Sequence, residues 1–515
     1  MPNNEIFNST ITEGYSFKGE SYPVGVAVLD GVVQDGLLVN LPLKTMNRHG
    51  LIAGATGTGK TKTLQMLAET LSNASVPVMV MDIKGDLSGI AMPGTVNDKI
   101  TERCKHLNIT YQPQGCPVEL LTLSETKGVR LRATVSEFGP ILLSKILGLN
   151  DTQGGMVAII FKYCDDNKLP LLDLKDFIKV LQFVSNEGKE ELEKQYGKIS
   201  STSTGTILRK VVELQQQGAD TFFGERSFDT DDLMRISDDG RGQVSVLRCM
   251  DLQDRPKLFS TFMLQMLSEL YATCPEEGDV DKPKLVLFVD EAHLIFQEAS
   301  DALLQQIETI IKLIRSKGIG IFFVTQNPMD VPASVLGQLG LKIQHALRAF
   351  TAADRKTIKQ TAENYPETTF YKVDELLTQL GIGEAFVTML NEKGIPTPLV
   401  HCMMAPPKSR MDVLTETEVD ALVSKSKLFK KYDELIDTQS AYEILTQKIE
   451  ANSEQVAEQE QATQQEKKTS SSSSGGGFFN SPILKQVGRT AASVLTRGLL
   501  GALGIGGRKK KSSWF

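Results

Sequence analysis

One short glycine-rich segment limits the fold of this chain more than any other feature. Residues 54–61 read Gly-Ala-Thr-Gly-Thr-Gly-Lys-Thr, and they follow the apolar run 50–54. The next segment, 63–71, repeats its apolar residues at helical spacing. A G-x-x-x-x-G-K-[ST] loop between a strand and a helix is a P-loop, whose backbone N–H groups point inward at phosphates. The segment therefore predicts a strand, a phosphate-binding loop and a helix.

The loop predicts ATP and Mg²⁺ as ligands. Lys60 is expected to reach the outer phosphates, and the hydroxyl of Thr61 is expected to ligate the metal. The helix that follows adds the partial positive charge of its N-terminus. The alternative is a chance turn rich in glycine and threonine. The residues predicted to bind the nucleotide are Gly54, Ala55, Thr56, Gly57, Thr58, Gly59, Lys60, Thr61 and Lys62.

Two acids follow a second apolar run. Residues 285–289 read Leu-Val-Leu-Phe-Val, and Asp290 and Glu291 stand where this predicted strand leaves the sheet. Carboxylates in such a place are costly to bury unless a cation compensates them. We expect Asp290 to hold the magnesium ion and Glu291 to act as general base on the attacking water. The alternative is that both are surface acids at the start of a helix near Ala292.

A third strand, 319–324, ends on Thr325-Gln326-Asn327. An amide at this position can bond the γ-phosphate or its water, so Gln326 is interpreted as a sensor of hydrolysis. The alternative is a turn residue before Pro328. A further polar group follows the strand 76–81 and consists of Asp82, Lys84 and Asp86. These side chains either orient water or metal at the same sheet edge or are merely solvated.

Phosphoryl transfer also benefits from an arginine, which a neighbouring subunit often supplies. Arg315, Arg348 and Arg355 lie close to the motifs in sequence, and each is alternatively an ordinary surface arginine. Arg315, just before the third strand, is the first candidate.

The alternation of strands and helices predicts an α/β fold with a mainly parallel sheet of at least six strands. Helical spacing in 141–147, 155–164, 174–184 and 206–217 predicts an insertion that splits this core. The predicted organisation is a small N-terminal β element (1–45), the first part of the core (46–131), a helical insertion (132–225), the second part of the core (226–405), a polar helical segment (406–468), a Ser/Gly linker (469–477) and a basic amphipathic tail (478–515).

Composition excludes few classes of protein. The 515 residues are 41% hydrophobic and 23% charged, as in an ordinary globular protein, and the net charge of −7 argues against a wholly basic nucleic-acid binder. The net charge of the whole chain would not reveal a basic channel inside a ring. Neither a secretory signal nor a long apolar run is present, so a cytoplasmic protein is expected. Cys104, His106 and Cys116 lack the fourth ligand of a zinc site, and reduced structural thiols are the better interpretation.

These motifs together resemble the HerA/FtsK group of motor ATPases, and within it the bacterial HerA-like ATPases of the YjgR type. The resemblance covers about residues 20–410 and is carried by Arg48 to Thr61, Asp82 to Asp86, Phe288 to His293, Val324 to Pro328, and the shorter stretches 134–137, 149–153, 315–318 and 344–350. It implies a RecA-like P-loop core, hexameric rings with ATP at the subunit interfaces, DNA in the channel, and a nuclease partner such as archaeal HerA has.

Several functions remain open at this stage. The first is a Mg-dependent ATPase that works as a DNA translocase or helicase, and the second is an ATP-driven motor or switch that remodels or secretes protein. A small-molecule kinase fits poorly. Such a kinase usually has no Asp-Glu pair like Asp290-Glu291 after its catalytic strand, and it needs an arginine-rich lid that this sequence does not show. Residues 290–293 also spell the DEAH box of another helicase superfamily, whose further motifs are missing.

The tail predicts a short basic amphipathic helix. Its apolar residues recur at helical spacing, and the basic run 508–511 follows a glycine-rich break. Docking on the motor itself or on DNA is the favoured interpretation, since the apolar face is too small for a stable membrane anchor. The alternative is a disordered, solubilising end.

Overall fold

The apolar runs pair into one large sheet. The computed structural model describes residues 2–278, 280–296, 301–433 and 438–469. Two units divide the chain, Met1–Gln447 and Lys448–Phe515. The strands are β1 (Ser21–Leu29), β2 (Val32–Pro42), β3 (Gly50–Ala53), β4 (Val78–Asp82), β5 (Val118–Thr122), β6 (Val129–Arg130), β7 (Val244–Arg248), β8 (Leu285–Val289), β9 (Ile319–Thr325), β10 (Leu341–His345), β11 (Glu384–Thr388) and β12 (Val400–Met404).

The sheet runs in the order β2-β1-β12-β11-β10-β3-β9-β8-β4-β7-β5-β6. The eight strands from β10 to β6 are parallel, and the four from β11 to β2 are antiparallel. In the middle, β3, β4, β8 and β9 are buried along their whole length, as expected of parallel strands covered on both faces. The predicted mainly parallel α/β sheet is confirmed, with twelve strands within the described residues.

Helices connect the strands and cover the sheet. Outside the insertion they are α1 (Pro2–Gly14), α2 (Lys60–Asn73), α3 (Asp98–His106), α9 (Pro256–Thr273), α10 (His293–Phe296), α11 (Asp301–Ile314), α12 (Ala333–Leu336), α13 (Ala352–Glu363), α14 (Val373–Leu376), α15 (Glu416–Lys425), α16 (Lys427–Asp433) and α17 (Ala441–Thr469). None of the helices within the described ranges is long and apolar enough to cross a membrane.

Five helices lie between β6 and β7, where the insertion 132–225 was predicted. They are α4 (Val135–Ile146), α5 (Asp151–Asp166), α6 (Leu174–Ser185), α7 (Lys189–Tyr196) and α8 (Ser201–Gln216). Capping boxes begin three of them, with Thr134, Asn150 and Asp173 as the capping residues. Because each box satisfies N–H groups at a helix start, the sequence sets these boundaries locally.

The N-terminal β element is present but is not separate from the core. Strand β1 pairs antiparallel with β12, with Gly25 opposite Met404, so β1 and β2 extend one edge of the main sheet. The sequence analysis missed this because β12, which makes the connection, was not predicted. Helix α1 was also not predicted, and its buried Tyr15 donates a hydrogen bond to the carbonyl oxygen of Val387 in β11.

The domain boundaries themselves stay predictions. The Ser/Gly linker (469–477) and the basic tail (478–515) lie outside the described residues, apart from Thr469 at the end of α17. Helices α15, α16 and α17 occupy the segment predicted to be polar and helical.

Candidate nucleotide-binding site

Four neighbouring strands bring the predicted site residues to one edge of the sheet. In the order β3-β9-β8-β4, the strands continue at their carboxyl ends into the P-loop, Gln326, Asp290 and the turn after Asp82. Parallel strands place these ends together, which is where open α/β sheets bind their ligands. Residues that lie far apart in sequence therefore meet at the start of α2.

The loop 54–59 is held in a conformation that favours glycine. Gly54, Gly57 and Gly59 have φ of 153°, 77° and 114°, which L-residues with side chains rarely adopt. A Cβ on Gly54 would also lie 2.5 Å from Cβ of His345 in β10. Backbone geometry thus favours glycine at all three positions, and the close approach of His345 requires it at Gly54 as well.

Lys60 is the first residue of α2 and its side chain is buried. Its Nζ donates hydrogen bonds to the carbonyl oxygens of Gly54 and Ala55, at 2.7 and 3.1 Å, and so lies inside the curve of the loop. Burial lowers the pKa of Lys60, and the charge of Lys84 lowers it further, against the opposing effect of Glu291 and the other nearby carboxylates. This arrangement places a cation where the loop N–H groups converge.

The acids after β4 have different environments. Asp82 is buried and accepts hydrogen bonds from the N–H groups of Gly85, Asp86 and Leu87, so it shapes the turn. Asp86 Oδ2 lies 3.4 Å from the hydroxyl of Thr61. The sequence left open whether these residues belong to the site, and Asp86 lies in direct contact with the P-loop threonine.

Glu291 is the centre of a polar network. The residue has a positive φ of 47°, and its side chain is only 6% exposed. One carboxylate oxygen forms an ion pair with Lys84, and the other lies 3.1 Å from Nδ1 of His293. Burial raises the pKa of Glu291, but the hydrogen bond and charge of Lys84, helped by His293 and Gln326, outweigh burial and hold that pKa below its ordinary value. The group is thus kept ionised.

Asp290 differs from its neighbour. Its Oδ2 is buried and has no hydrogen-bond partner among the described residues. Burial raises the pKa of Asp290 to about 7, although the charge of Lys84 acts in the opposite direction. An oxygen left without a partner in this way has its lone pairs available to a cation.

Gln326 connects the P-loop to the acid that follows β8. Its Oε1 accepts a hydrogen bond from the hydroxyl of Thr56 at 3.2 Å, and its Nε2 lies 3.4 and 3.5 Å from the carboxylate oxygens of Glu291. The side chain therefore spans from the P-loop to the acid after β8, the position that the sensor interpretation requires.

The three candidate arginines occupy different places. Arg348 follows β10 and lines a cavity of about 440 Å³ together with Thr56 and Gln326. Arg355 lies on α13 and lines an adjacent cavity with Arg348. Arg315 is exposed and precedes β9, so it lies at the sheet edge opposite Gln326.

Three side chains beside the site were not predicted to take part. His345 Nε2 lies 3.0 Å from the hydroxyl of Thr63 in α2, His293 contacts Glu291, and Arg103 holds a loop against the P-loop. His293 and His345 lie within stretches that carry the family resemblance, but no motif gave them a role at the site, and Arg103 comes from α3. All six cysteines are buried and free, and within the described ranges no group of three or more His, Cys, Asp or Glu side chains could hold a metal ion.

A RecA-like P-loop ATPase is the class of protein that this sheet and its edge define. The helicase HerA-like C-terminal family model matches residues 30–511. The chain belongs to this family, which confirms the resemblance drawn from the motifs.

Relatives of known name are distant. The chain is 21% identical over 370 residues to the DNA double-strand break repair helicase HerA of Sulfolobus acidocaldarius, covering 71% of this chain and 67% of the relative. It is 22% identical over 368 residues to the HerA of Saccharolobus solfataricus, covering 70% and 66%. The chain thus spans about two thirds of the length of these curated relatives.

Solved structures support the fold alone. The bacterial conjugative coupling protein TrwBdeltaN70 matches with a TM-score of 0.51 at 12% identity, over 79% of this chain and 94% of that chain. The plasmid coupling protein TrwB in complex with the non-hydrolysable ATP analogue ADPNP matches with a TM-score of 0.51 at 13% identity, over 79% and 94%.

Proposed function

We propose that this protein is a Mg-dependent ATPase that assembles into a hexameric ring and translocates or unwinds DNA. The observation that carries the ATPase proposal is the continuous contact from Thr56 through Gln326 to Glu291, which joins the phosphate loop to a carboxylate suited to activate water. TrwB, which shares the fold, binds an ATP analogue.

The chain's own residues suffice to position the reaction. The N–H groups of the loop and the ammonium of Lys60 bind the phosphates and neutralise their charge. Glu291 accepts a proton from the water whose oxygen attacks the γ-phosphorus, while the bond from that phosphorus to the bridging oxygen of ADP breaks. Gln326 orients the water through its amide. Because the pKa of Glu291 is held below its ordinary value, the carboxylate is deprotonated and can accept this proton.

Magnesium fits the oxygen ligands at this edge. The Oδ2 of Asp290, which is buried and has no partner among the described residues, and the hydroxyl of Thr61 are hard ligands of the kind that Mg²⁺ prefers. Thr61 and Asp290 would hold the ion, which when bound supplies positive charge to the phosphate oxygens.

The DNA part of the proposal rests on the family. Both archaeal relatives are named as DNA double-strand break repair helicases, and they align with 71% and 70% of this chain. A ring places each ATP between subunits, so that hydrolysis can be coupled to movement along a strand. A motor acting on protein instead would hydrolyse ATP without responding to DNA.

Two substitutions test the ATPase assignment. Lys60→Ala removes the main cation at the phosphates, so ATP binding should weaken and turnover should be abolished. Glu291→Gln removes the base but preserves shape, so the variant should bind ATP and release phosphate at least 100-fold more slowly, as is usual when a general base is lost. Nucleotide affinity and phosphate release are measured for both. A Glu291→Gln protein that turns over ATP at the wild-type rate would show that Glu291 is not the base.

DNA dependence is tested on the same protein. Phosphate release should rise when double-stranded DNA is added at low salt, and this rise should shrink as salt increases. Particle mass in solution, measured with ATP bound to the Glu291→Gln variant, should correspond to six chains. Hydrolysis that ignores DNA at every salt concentration would favour the protein-directed motor.

A further inference from the structure

A buried histidine lies directly behind the P-loop, and the proposed reaction gives it no part. His345 is the last residue of β10, the strand that pairs with β3, and it is fully buried. A Cβ on Gly54 would lie 2.5 Å from Cβ of His345, and a Cβ on Gly59 would lie 3.6 Å from Cε1 of its ring. The imidazole therefore lies close to both ends of the loop 54–59.

The backbone around this histidine is bonded to the same loop. The N–H of Ala55 donates a hydrogen bond to the carbonyl oxygen of Ala346, at 2.8 Å. The N–H of Gly383, just before β11, donates to the carbonyl oxygen of Thr58, at 2.9 Å. The end of β10 and the start of β11 therefore hold the loop at two separate points.

The ring of His345 makes one hydrogen bond on each side. Its Nδ1 lies 2.8 Å from the carbonyl oxygen of Glu384 in β11, and its Nε2 lies 3.0 Å from the hydroxyl of Thr63 in the first turn of α2. A carbonyl oxygen only accepts, so Nδ1 carries the proton and Nε2 accepts one from Thr63. Burial lowers the pKa of His345 to about 4, helped by the charge of Lys60 and opposed by the bond to Glu384, so the ring is neutral near pH 7.

A glycine-rich loop needs such support from its surroundings. Glycine has more conformational freedom to lose than any other residue, so ordering this loop on binding would cost affinity. A group that fixes the loop beforehand removes that cost without touching the ligand. The bond from Thr63 also fixes the first turn of α2, where the N–H groups of a helix start face an anion.

We propose that His345 is a positioning residue, which through its hydrogen bond with Thr63 holds the P-loop and the first turn of α2 in the phosphate-binding conformation before the nucleotide binds. This inference rests on the proposed function, because the ligand that it serves is the phosphate chain of ATP. His345 acts from behind the loop, so its loss should weaken phosphate binding and leave the chemical step nearly unchanged.

Side-chain amides separate the two nitrogens of the ring. His345→Gln can place an amide oxygen near the position of Nε2 and keep an acceptor for Thr63. His345→Asn reaches only the position of Nδ1 and loses that acceptor. Calorimetric titration with ADP and with inorganic tripolyphosphate should show both affinities at least tenfold weaker for His345→Asn and within threefold of wild type for His345→Gln. In both variants kcat at saturating ATP should stay within threefold, so that the loss appears in KM.

The other partner of the bond gives an independent test. Thr63→Val removes the hydroxyl and should weaken both ligands about as much as His345→Asn, whereas Thr63→Ser keeps the hydroxyl and should bind within twofold of wild type. The double variant should bind no more than twofold more weakly than His345→Asn, because both changes remove the same bond. Fully additive losses would show that His345 does not act through Thr63 and would overturn the proposal. Should His345→Asn fail to fold, the comparison of Thr63→Val with Thr63→Ser decides.

Two controls make the result interpretable. Thr361→Val changes another buried threonine (1% exposed), on α13 and outside the loop, and should alter neither affinity. Lys60→Ala should weaken both ligands. If Lys60→Ala changes neither affinity, the phosphate assignment of the proposed function is wrong. If Lys60→Ala weakens both ligands while Thr63→Val leaves both unchanged, the positioning proposal alone is overturned.

Discussion

At Glu291 three side chains from different parts of the chain converge on one carboxylate. Lys84 comes from the turn after β4, His293 from the start of α10, and Gln326 from the end of β9. A base held by a full ion pair is ionised but also restrained, since the lysine competes with water for the same lone pairs. Lys84 should therefore set the pH range in which Glu291 is deprotonated and available as a base.

Lys84→Ala tests this at the residue scale. Without the ammonium, the effect of burial prevails and the pKa of Glu291 rises. Since a general base must be deprotonated, the acidic limb of the rate profile should move to higher pH, and turnover near pH 6 should fall relative to that at pH 8. The profile of kcat between pH 5 and 9 is the measurement. Lys84→Arg keeps the charge and should keep the limb in place, whereas an unshifted limb in Lys84→Ala would mean that Lys84 does not control Glu291.

Gln326→Ala tests the link between the two halves of the site. The amide touches Thr56 and Glu291 but no backbone group of the P-loop, so nucleotide affinity should stay within about twofold. Turnover should fall about 10- to 100-fold, because loss of one oriented hydrogen bond near the transition state costs about 1.4–2.7 kcal/mol. Gln338→Ala, outside the site, serves as the matched control. An unchanged rate would return Gln326 to the role of a turn residue.

At the scale of elements, His49 ties the P-loop strand to its neighbours. It precedes β3, and its Nε2 donates to the carbonyl oxygen of Ile311 in α11 at 2.8 Å. Its Nδ1 accepts a hydrogen bond from the N–H of Ile321 in β9 at 3.0 Å, so the ring is neutral with the proton on Nε2. Burial lowers the pKa of His49 to about 4, although the hydrogen bond to Ile311 opposes this.

His49 should therefore make folding sensitive to acid. Because the pKa is lowered, the contribution of His49 to the free energy of unfolding is complete above pH 6.5 and is lost as pH falls towards 4, by at most about 3.4 kcal/mol from the difference in pKa. Urea unfolding of the wild type and of His49→Gln, followed from pH 7.5 to 4.5, measures this. The wild type should have the higher free energy of unfolding at pH 7.5, and the difference between the two proteins should become smaller as pH falls. A difference in free energy of unfolding that stays constant across this pH range would contradict the lowered pKa of His49.

The same scale shows what sequence could predict. Strands β3, β4, β8 and β9 were predicted to within two residues, since each is a short apolar run buried on both faces. Strands β5, β11 and β12 were not predicted, and each contains a charged residue or a histidine that weakens its apolar pattern, namely Glu119, Glu384 and His401. Their partners are tertiary: Arg235 lies 2.8 Å from Glu119, and Glu384 lies 3.1 Å from His401. A single sequence does not reveal such compensation.

The candidate site divides in the same way. Lys60, Thr61, Asp290, Glu291 and Gln326 were selected by local motifs, and the structure brings them to one edge, although their roles stay predictions. The ion pair of Lys84 with Glu291 could not be predicted, because it depends on β4 lying next to β8. More than 150 residues separate these two strands in the sequence, so their contact is not visible from local patterns.

For the whole molecule, the position of the arginines decides whether the proposed ring has shared active sites. Arg348 lies with Thr56 and Gln326 at the edge that carries the candidate site of its own chain. Arg315 precedes β9, whose seven residues span roughly 20 Å before Gln326 is reached. Arg315 is therefore remote from the candidate site of its own chain, so we propose that it acts, if at all, at the site of another subunit, and that Arg348 acts at its own.

Mixing inactive subunits distinguishes these two assignments. A subunit with Lys60→Ala still offers a normal Arg315, and a subunit with Arg315→Ala still offers a normal P-loop. If Arg315 acts across the interface, about a quarter of the interfaces in a random equal mixture contain both intact groups. Phosphate release should then recover to roughly that fraction of the wild-type rate. Lys60→Ala mixed with Arg348→Ala should recover nothing, because both changes damage the site of their own subunit. Recovery in the Arg348 mixture and none in the Arg315 mixture would reverse the assignment, and would place Arg348 rather than Arg315 at the boundary between subunits.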